Sequence, residues 1–412
     1  MSFKSHRERL FAILPDNSLV VSHAGAPLHT NEDDYYPFEV NSQFFYLTGL
    51  EREGMILMMT KIKGICSETL FIEESDPFIE RWTGKMPTKE EAQAVSGAEK
   101  VAFLSSFEGS LSSVMTRSLI EHAFFDTFSG GEDIPDYNHR KAVQFKEKYP
   151  AVILHDLRSA VIPLREQKDE EEVERIRKAV NITKQGLENV MRNLKPGKME
   201  YQVQADFEYT CKSLGAKKFS FPTIAGSGIN GCMMHYDTND HVAEDGKLIL
   251  LDLGAKYGNY CSDITRTYPI NGHYTDRQRE YYELVLSANK AVKEAARPGI
   301  TLRDLNDLTK KVLGEGLVKM GKIDSVEEVG KYYMHSVSHA IGIDCHDCCF
   351  SGDVLKPGWI ISNEPGLYID EEEIGIRIED DLLITEEGCE VLSQDILRDP
   401  DEIEAFMKNN KM

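Results

Sequence analysis

The sequence has few basic residues for its acidic content, and this imbalance limits what the protein binds. Lysine and arginine number 47 against 69 aspartates and glutamates, so the formal net charge at pH 7 is −22. Nucleic acids and anionic membrane surfaces carry charge of the same sign and are repelled. We therefore expect no nucleic acid and no membrane as partner, and instead a neutral or cationic small molecule, a peptide or a metal ion.

A long apolar run is also lacking at the start of the sequence. The segment MSFKSHRERLFAILPDN contains only the short run LFAIL before Pro15, which is too short for a signal peptide or a membrane anchor. Eight cysteines without a secretory signal are typical of reduced thiols. The expected location is the cytoplasm.

The length of 412 residues favours two domains, and the pattern of the sequence changes near residue 163. Before that point, short β-rich runs such as SLVVSHAG and MILMMTKI alternate with helical segments. After it, long amphipathic helices and paired strands follow. We predict an α/β (α+β) protein, with a mixed α/β domain over 1–163 and a second domain over 164–412.

The second domain is predicted to contain an internal repeat. A helix ending in NLKPGK and followed by a second helix is echoed by a helix ending in AARPGI and followed by another. Thr275 with Gln278 forms a capping box for the second copy, and Thr301 caps the helix after it. Although Pro-Gly is a common helix terminator on its own, the order of elements predicts a domain with pseudo-twofold symmetry.

Two acidic residues flank the first predicted hairpin of this domain. In KLILLDLGAKYGNYCSDITRTYPI, a turn at Tyr257-Gly258 would place Asp252 directly opposite Asp263. Residues opposite each other in a hairpin have Cβ atoms roughly 5 Å apart. We therefore expect this hairpin to bring two carboxylates together.

The second predicted hairpin repeats the arrangement. In IISNEPGLYIDEEEIGIRIEDDLLIT, a turn at Glu371-Glu372 would place Glu364 opposite Glu379. Acids on strands usually face solvent or form ion pairs, but the apolar neighbours of Glu379 predict burial. Crowded buried carboxylates destabilise a fold unless a cation lies among them. A pair of divalent metal ions would remove that cost.

Four stretches carry a resemblance to a known family. LLDLGAKYGNYCSDITRTYP, MHSVSHAIGIDCHD, NEPGLYI and GIRIEDD resemble the ordered motifs of the pita-bread metallopeptidases of family M24. NEDDYYPFEVNSQFFYLTGLE is similar to the N-terminal domain of aminopeptidase P, prolidase and creatinase. The resemblance covers essentially the whole sequence, and it implies a creatinase- and aminopeptidase-P-like N-terminal domain followed by a pita-bread catalytic domain.

The resemblance implies five metal ligands, which are Asp252, Asp263, His339, Glu364 and Glu379. By analogy, Asp263 and Glu379 bridge two divalent ions, Asp252 binds one of them, and His339 with Glu364 binds the other. Ligands so rich in oxygen suit Mn²⁺, with Co²⁺, Zn²⁺ or Fe²⁺ as substitutes. A hydroxide held between the ions is then the expected nucleophile.

The stretch YYMHSVSHAIGIDCHDCC, residues 332–349, allows a second interpretation. Its cysteines, Cys345, Cys348 and Cys349, could join neighbouring histidines around one structural zinc ion. The resemblance instead makes His339 the lone ligand and the cysteines bystanders, and no second Cys pair completes a zinc–sulfur cluster of the usual spacing. We further hypothesise that Cys348 and Cys349, as vicinal thiols beside the site, confer sensitivity to oxidants or thiophilic metals.

The resemblance also implies the roles of residues around the metals. Glu364 is expected to act as the proton shuttle. His235 and His346 are expected to donate to the substrate carbonyl and the developing oxyanion. The residues expected to bind substrate, or to orient a carboxylate ligand of the metal ions, are His335, Tyr368, Arg377 and Asp33. Asp33 is expected to come from a neighbouring subunit of a homodimer or homotetramer.

The activity expected from the resemblance is removal of the first residue of peptides with proline at the second position. The alternative within the family is a prolidase, which accepts Xaa-Pro dipeptides. A creatinase-like hydrolase, which works without metal on a non-peptide C–N bond, and an inactive peptide-binding module remain further alternatives. The presence of all five ligand positions argues against these last two.

Overall fold

A computed structural model describes residues 3–128, 136–350 and 352–409, which divide into two compact units. The division lies between Arg165 and Glu166, close to the predicted residue 163. Both units mix helices and strands, so the predicted α/β class is confirmed.

The first unit contains a mixed sheet. Its strands are β1 (Ser18–His23), β2 (Ile56–Ile62), β3 (Ile65–Ile72), β4 (Val101–Phe103), β5 (His122–Phe125) and β6 (Ile153–Asp156), in the order β4-β3-β2-β1-β5-β6. Its helices are α1 (Phe3–Ile13), α2 (Ser42–Thr48), α3 (Pro77–Thr83), α4 (Lys89–Ser96), α5 (Phe107–Arg117), α6 (Tyr137–Lys148) and α7 (Leu157–Glu166). Because β1 lies inside the sheet, all its residues are buried.

The helices described in the second unit are α8 (Glu170–Asn193), α9 (Glu200–Ser213), α10 (Asp276–Ala295), α11 (Leu302–Lys319) and α12 (Pro400–Asn409). Helix α8 packs against α9, and α10 packs against α11. The predicted capping box of Thr275 with Gln278 is formed, and Thr301 caps α11 as predicted, in a capping box with Asp304. Along residues 3–128, 136–350 and 352–409, no helix has the length and apolar character that crossing a bilayer requires.

Strands of the second unit form small sheets between these helices. They are β7 (Lys218–Phe219), β8 (Ile224–Ser227), β9 (Leu248–Leu253), β10 (Ala255–Tyr257), β11 (Tyr260–Cys261), β12 (Ile264–Pro269), β13 (Ile360–Asn363), β14 (Gly366–Ile369), β15 (Ile374–Arg377), β16 (Asp380–Ile384) and β17 (Cys389–Val391). The sheets have the orders β12-β9-β8, β11-β10-β7, β13-β16-β17 and β14-β15.

Equivalent contacts recur in the two halves of this unit. After α8, the N–H of Gly197 donates to the carbonyl of Ala243 at 2.9 Å. After α10, the N–H of Gly299 donates to the carbonyl of Leu355 at 3.0 Å. Each half thus ties its Pro-Gly break to the segment that leads into a central strand, as the predicted repeat requires.

The first predicted hairpin forms with a different register. Asp252 on β9 pairs with Thr265 on β12, so the prediction that it lies directly opposite Asp263 is wrong. The turn consists of Gly258 and Asn259, with φ angles of 54° and 62°, and not of Tyr257 and Gly258. Because two-residue hairpin turns of this kind need positive φ at both positions, Gly-Asn fixes the centre one residue later.

The second hairpin has the predicted register. β14 pairs with β15 around the turn Asp370–Glu372, and β13 pairs with β16 in the same continuous register. This register places Glu364, which follows β13, opposite Glu379, which precedes β16. Both hairpins therefore direct their carboxylates toward one region.

Candidate active site

A cavity of about 570 Å³ in the second unit collects most of the predicted residues. Its lining includes His235, Asp252, Asp263, His335, His339, His346, Glu364, Arg377 and Glu379. These residues come from both halves of the repeat, so the cavity lies where the two hairpins meet.

Three of the predicted ligands form a tight cluster. One ligand atom from each of Asp263, His339 and Glu379 lies within 4.8 Å of the others. The N–H of Glu379 donates to the carbonyl of Thr265 at 3.0 Å, which joins the two hairpins at this point. Glu364 lies beside the cluster, with Oε1 at 3.4 Å from Nε2 of His339.

The imidazole of His339 is oriented by its own backbone. Nδ1 lies 3.1 Å from the carbonyl of Ala340 and donates to it, so Nε2 faces Asp263 at 3.3 Å. Burial lowers the pKa of His339, but the hydrogen bond and charge of Asp263 outweigh it and raise the pKa to about 9. When a cation replaces that proton, Nε2 is free to act as a ligand.

Arg377 holds the carboxylate of Asp252. Its Nη2 donates to Oδ2 of Asp252 at 2.5 Å, and its Nε donates to the hydroxyl of Thr265 at 3.0 Å. That hydroxyl in turn donates to Oε2 of Glu379 at 2.7 Å. One guanidinium and one hydroxyl therefore position two of the predicted ligands.

The cluster carries more negative charge than its cations neutralise. Burial raises the pKa of Asp252 to about 6 and that of Glu364 to about 7. Burial, followed by repulsion from Asp263 and Glu364, raises the pKa of Glu379 well above its usual range. Oδ1 of Asp252 is buried and has no hydrogen-bond partner. Carboxylates of this kind are stabilised by a bound cation.

Two of the predicted histidines have a pKa below the ordinary value for histidine. Burial lowers the pKa of His335 to about 4, and its Nε2 lies 2.8 Å from the hydroxyl of Tyr368. The same hydroxyl accepts from Nη1 of Arg377 at 2.8 Å, so His335 and Arg377 are linked through one oxygen. Burial also lowers the pKa of His346, whose ring lies 4.0 Å from that of His339.

Asp33 lies in the first unit. It is exposed, and its N–H donates to Oδ1 of Asn31 at 2.9 Å in a short turn. Its contact with substrate from a neighbouring subunit stays a prediction.

The interpretation of the cysteines as bystanders to metal binding stays a prediction, but Cys345 contacts one of the predicted ligands. Its Sγ donates to Oδ2 of Asp263 at 2.9 Å, and it lines the cavity. Cys348 is buried and Cys349 is half-buried, and neither lines the cavity. The vicinal pair Cys348-Cys349 therefore lies outside the cavity lining. The thiol that contacts a carboxylate is that of Cys345.

An apolar wall was missed by the sequence analysis. Phe221, Pro222, Ile224 and Met234 line the cavity alongside the polar cluster. The run FSFPTIAG carries no motif, and only the pairing of β8 with β9 shows that it faces this cavity. The site therefore combines a polar centre with an apolar surface.

Buried carboxylates from two related hairpins, with the imidazole of His339 from a separate loop, form a site typical of a metallopeptidase. The sequence profile of metallopeptidase family M24 matches residues 174–386, and that of the aminopeptidase P N-terminal domain matches residues 3–120. The chain belongs to metallopeptidase family M24, so the predicted family is confirmed.

Relatives named for one activity match nearly the whole chain. The Xaa-Pro aminopeptidase of Escherichia coli K12 is 32% identical over 433 residues, covering 98% of this chain and 97% of its own length. That of Haemophilus influenzae is 30% identical over 424 residues, covering 98% and 96%. A solved structure of a candidate aminopeptidase P from Bacillus anthracis is 42% identical, has a TM-score of 0.97, and covers 100% of this chain and 98% of that one.

Proposed function

We propose that the chain is a Xaa-Pro aminopeptidase, which removes the first residue of peptides whose second residue is proline. The observation that carries this proposal is the set of carboxylates around His339 at the meeting point of the two hairpins. Relatives and solved structures named as aminopeptidase P support the choice of substrate.

The donor set fits two divalent metal ions. The proposed ligands are Asp252, Asp263, His339, Glu364 and Glu379, with Mn²⁺ favoured because most donors are oxygens. The buried Oδ1 of Asp252 lacks a partner, and burial raises the pKa values of Asp252 and Glu364, which a bound cation would offset. Bound ions would supply Lewis acidity, polarising the scissile carbonyl and activating water.

Glu364 is the proposed proton carrier. Its carboxylate lines the cavity and accepts from the hydroxyl of Ser362 at 3.2 Å. A carboxylate at the place where water is activated can act first as general base and then as general acid. It can take a proton from attacking water and deliver it to the leaving proline nitrogen.

Two histidines of the cavity lining are proposed to donate hydrogen bonds. The ring of His346 lies 4.0 Å from that of His339, tilted by 35°, and His235 lines the same cavity. An N–H directed at an oxygen that gains charge during attack stabilises the transition state more than the ground state. We assign His346 and His235 to the substrate carbonyl and its oxyanion.

Selectivity for proline is proposed to come from shape. An amide to proline has no N–H, so the substrate cannot be held through that group. The apolar wall of Phe221, Pro222, Ile224 and Met234, with His335 beyond it, offers a surface for the ring. Substrate contacts from Tyr368 and Asp33 belong to the same proposal.

A prolidase is the second candidate, since it uses the same centre on dipeptides. We propose cleavage of Arg-Pro-Pro-Gly-Phe and of Ala-Pro, followed by mass spectrometry with Mn²⁺ and with chelator, to separate the two. Metal-dependent loss of arginine is the expected result. Cleavage of Ala-Pro alone would indicate a prolidase, and cleavage of neither peptide would overturn the proposal.

We also propose that the protein acts in the cytoplasm and that it forms a homodimer or homotetramer. Phe78, Ile79 and Trp82 on α3 are all exposed, and helix α3 has no buried residue. Exposed apolar side chains on one short helix support contact with another copy. Light scattering after size exclusion gives the mass, and a monomer would contradict this part.

A further inference from the structure

The thiol of Cys345 contacts the carboxylate cluster at Asp263. Its Sγ is 2.9 Å from Oδ2 of Asp263, and Nε2 of His339 is 3.3 Å from the same oxygen. Two side chains from one loop therefore converge on one carboxylate oxygen. One of them is an imidazole proposed as a ligand, and the other is a sulfur.

The loop that carries Cys345 is held on both sides. The N–H of Cys261 donates to the carbonyl of Gly342 at 2.8 Å, and the N–H of Asp347 donates to that of Ala340 at 2.8 Å. Lys168 and Asp347 form a buried ion pair at 3.0 Å, with side chains 2% and 1% exposed. Such fixed surroundings keep the sulfur at Asp263 instead of letting it turn to solvent.

We propose that Cys345 is an additional ligand of the metal centre for thiophilic divalent ions, and that it sets the metal preference of the site. The inference rests on the proposed metal site. Thiolate sulfur favours soft or borderline ions such as Cd²⁺ and Zn²⁺, whereas oxygen donors favour Mn²⁺. On binding, the S–H bond breaks, a sulfur–metal bond forms and the proton passes to solvent, so no oxidant is needed.

If Cys345 only supports Asp263 through a hydrogen bond and does not bind metal, its substitutions should behave differently. As a hydrogen-bond donor to Asp263, the thiol could be replaced by a hydroxyl with little change. Cys345→Ser keeps a donor and removes the sulfur, whereas Cys345→Val keeps the volume and removes both. Comparing the two variants therefore separates ligation from support.

The test is titration of the full-length, metal-free chain with Cd²⁺ and with Mn²⁺. Ultraviolet absorption detects a cadmium–thiolate charge-transfer band, and calorimetry gives the affinity for each ion. In wild type we expect a band that Mn²⁺ removes by competition. In both Cys345 variants we expect the band to vanish and affinity for Cd²⁺ to fall roughly tenfold or more, while affinity for Mn²⁺ changes by less than about threefold.

The Cys348→Ser/Cys349→Ser double variant is the matched control, because these thiols lie in the same loop but outside the cavity lining. It should keep the Mn²⁺-sensitive band. A band that survives in Cys345→Val, or equal losses of Cd²⁺ and Mn²⁺ affinity that Cys345→Ser restores, would overturn the inference.

Failure of the proposed function gives a separate result. If wild type binds neither ion and cleaves no Xaa-Pro peptide, the metal site itself is wrong and the inference falls with it. If wild type binds Mn²⁺ and cleaves peptides but shows no cadmium–thiolate band that Mn²⁺ displaces, only the role of Cys345 is wrong.

Discussion

Arg377 binds one oxygen of the Asp252 carboxylate and leaves the other without a partner. The bond from Nη2 to Oδ2 is 2.5 Å long, and Oδ1 is buried with no hydrogen bond. The protein therefore fixes the orientation of Asp252 while leaving one oxygen for a further ligand. The proposed metal site requires such an arrangement, in which one oxygen of Asp252 is held by Arg377 and the other is available to a metal ion.

Arg377→Lys should weaken metal binding and turnover. A lysine cannot contact Asp252, Thr265 and Tyr368 together, because it lacks the planar fork of arginine. Loss of a residue that orients a ligand typically costs about 10–100-fold in metal affinity or activity. Calorimetry with Mn²⁺ and peptide kinetics measure both quantities, and Arg279→Lys, at a half-buried arginine outside the cavity lining, serves as control. Unchanged affinity for Mn²⁺ would show that Arg377 does not orient Asp252.

Glu364→Gln should abolish turnover and leave a folded protein. The change removes a negatively charged ligand and the proton carrier but keeps the size of the side chain. We expect the rate to fall by more than about a hundredfold. Circular dichroism checks folding, and the exposed Glu386→Gln, next to β16, is the control. A rate within a hundredfold of wild type would refute the role.

Without metal, the protein should become less stable as pH rises from 7 to 9, because below that range His335 and His346, whose pKa values are lowered, change stability in the opposite direction. The pKa values of Asp252 and Glu364 are raised to about 6 and about 7, so the stability they contribute is complete below their unfolded values of about 4 and is lost as pH rises through the folded values. The pKa of His339 is raised to about 9, so its contribution is lost between about 6.5 and 9. All three effects have the same sign.

Thermal unfolding of chelator-treated protein across this pH range measures the trend. The melting temperature should fall with pH, and added Mn²⁺ should reduce the fall because bound ions compensate the carboxylates. A melting temperature that rises from pH 7 to 9 without metal would contradict the assigned charges.

Removing one partner of the buried pair Lys168–Asp347 should destabilise the second unit. Lys168→Met leaves a buried carboxylate without its cation, which typically costs about 3–5 kcal/mol. Lys168→Met/Asp347→Leu should recover part of the loss, since no charge is left unpaired. Urea denaturation compares the variants. Equal stability of the single variant and wild type would mean that the pair contributes nothing.

The register of the second hairpin could be predicted from the sequence, and that of the first could not. The alternation of apolar residues and the position of the turn at Glu371-Glu372 indicate the same register, so Glu364 lies opposite Glu379 as expected. Around Gly258-Asn259, positive φ at both residues moves the turn by one position and pairs Asp252 with Thr265. Local backbone conformation decided the difference.

Contacts made by loops and by segments distant in the sequence could not be predicted from the sequence. Cys345 reaches Asp263 because hydrogen bonds from other strands and the Lys168–Asp347 pair fix its loop. The same holds for the apolar wall at Phe221 and Met234, which carries no motif. Motif order identified the family and the polar residues, whereas their surroundings needed the fold.

The central claim is that the carboxylates and His339 hold two divalent ions that Xaa-Pro cleavage requires. Metal analysis of chelator-treated protein during titration with Mn²⁺, with release of arginine from Arg-Pro-Pro-Gly-Phe followed at each step, tests it directly. We expect up to two ions to bind per chain, and activity to appear only as they bind. Full cleavage by protein that holds no divalent ion would contradict it.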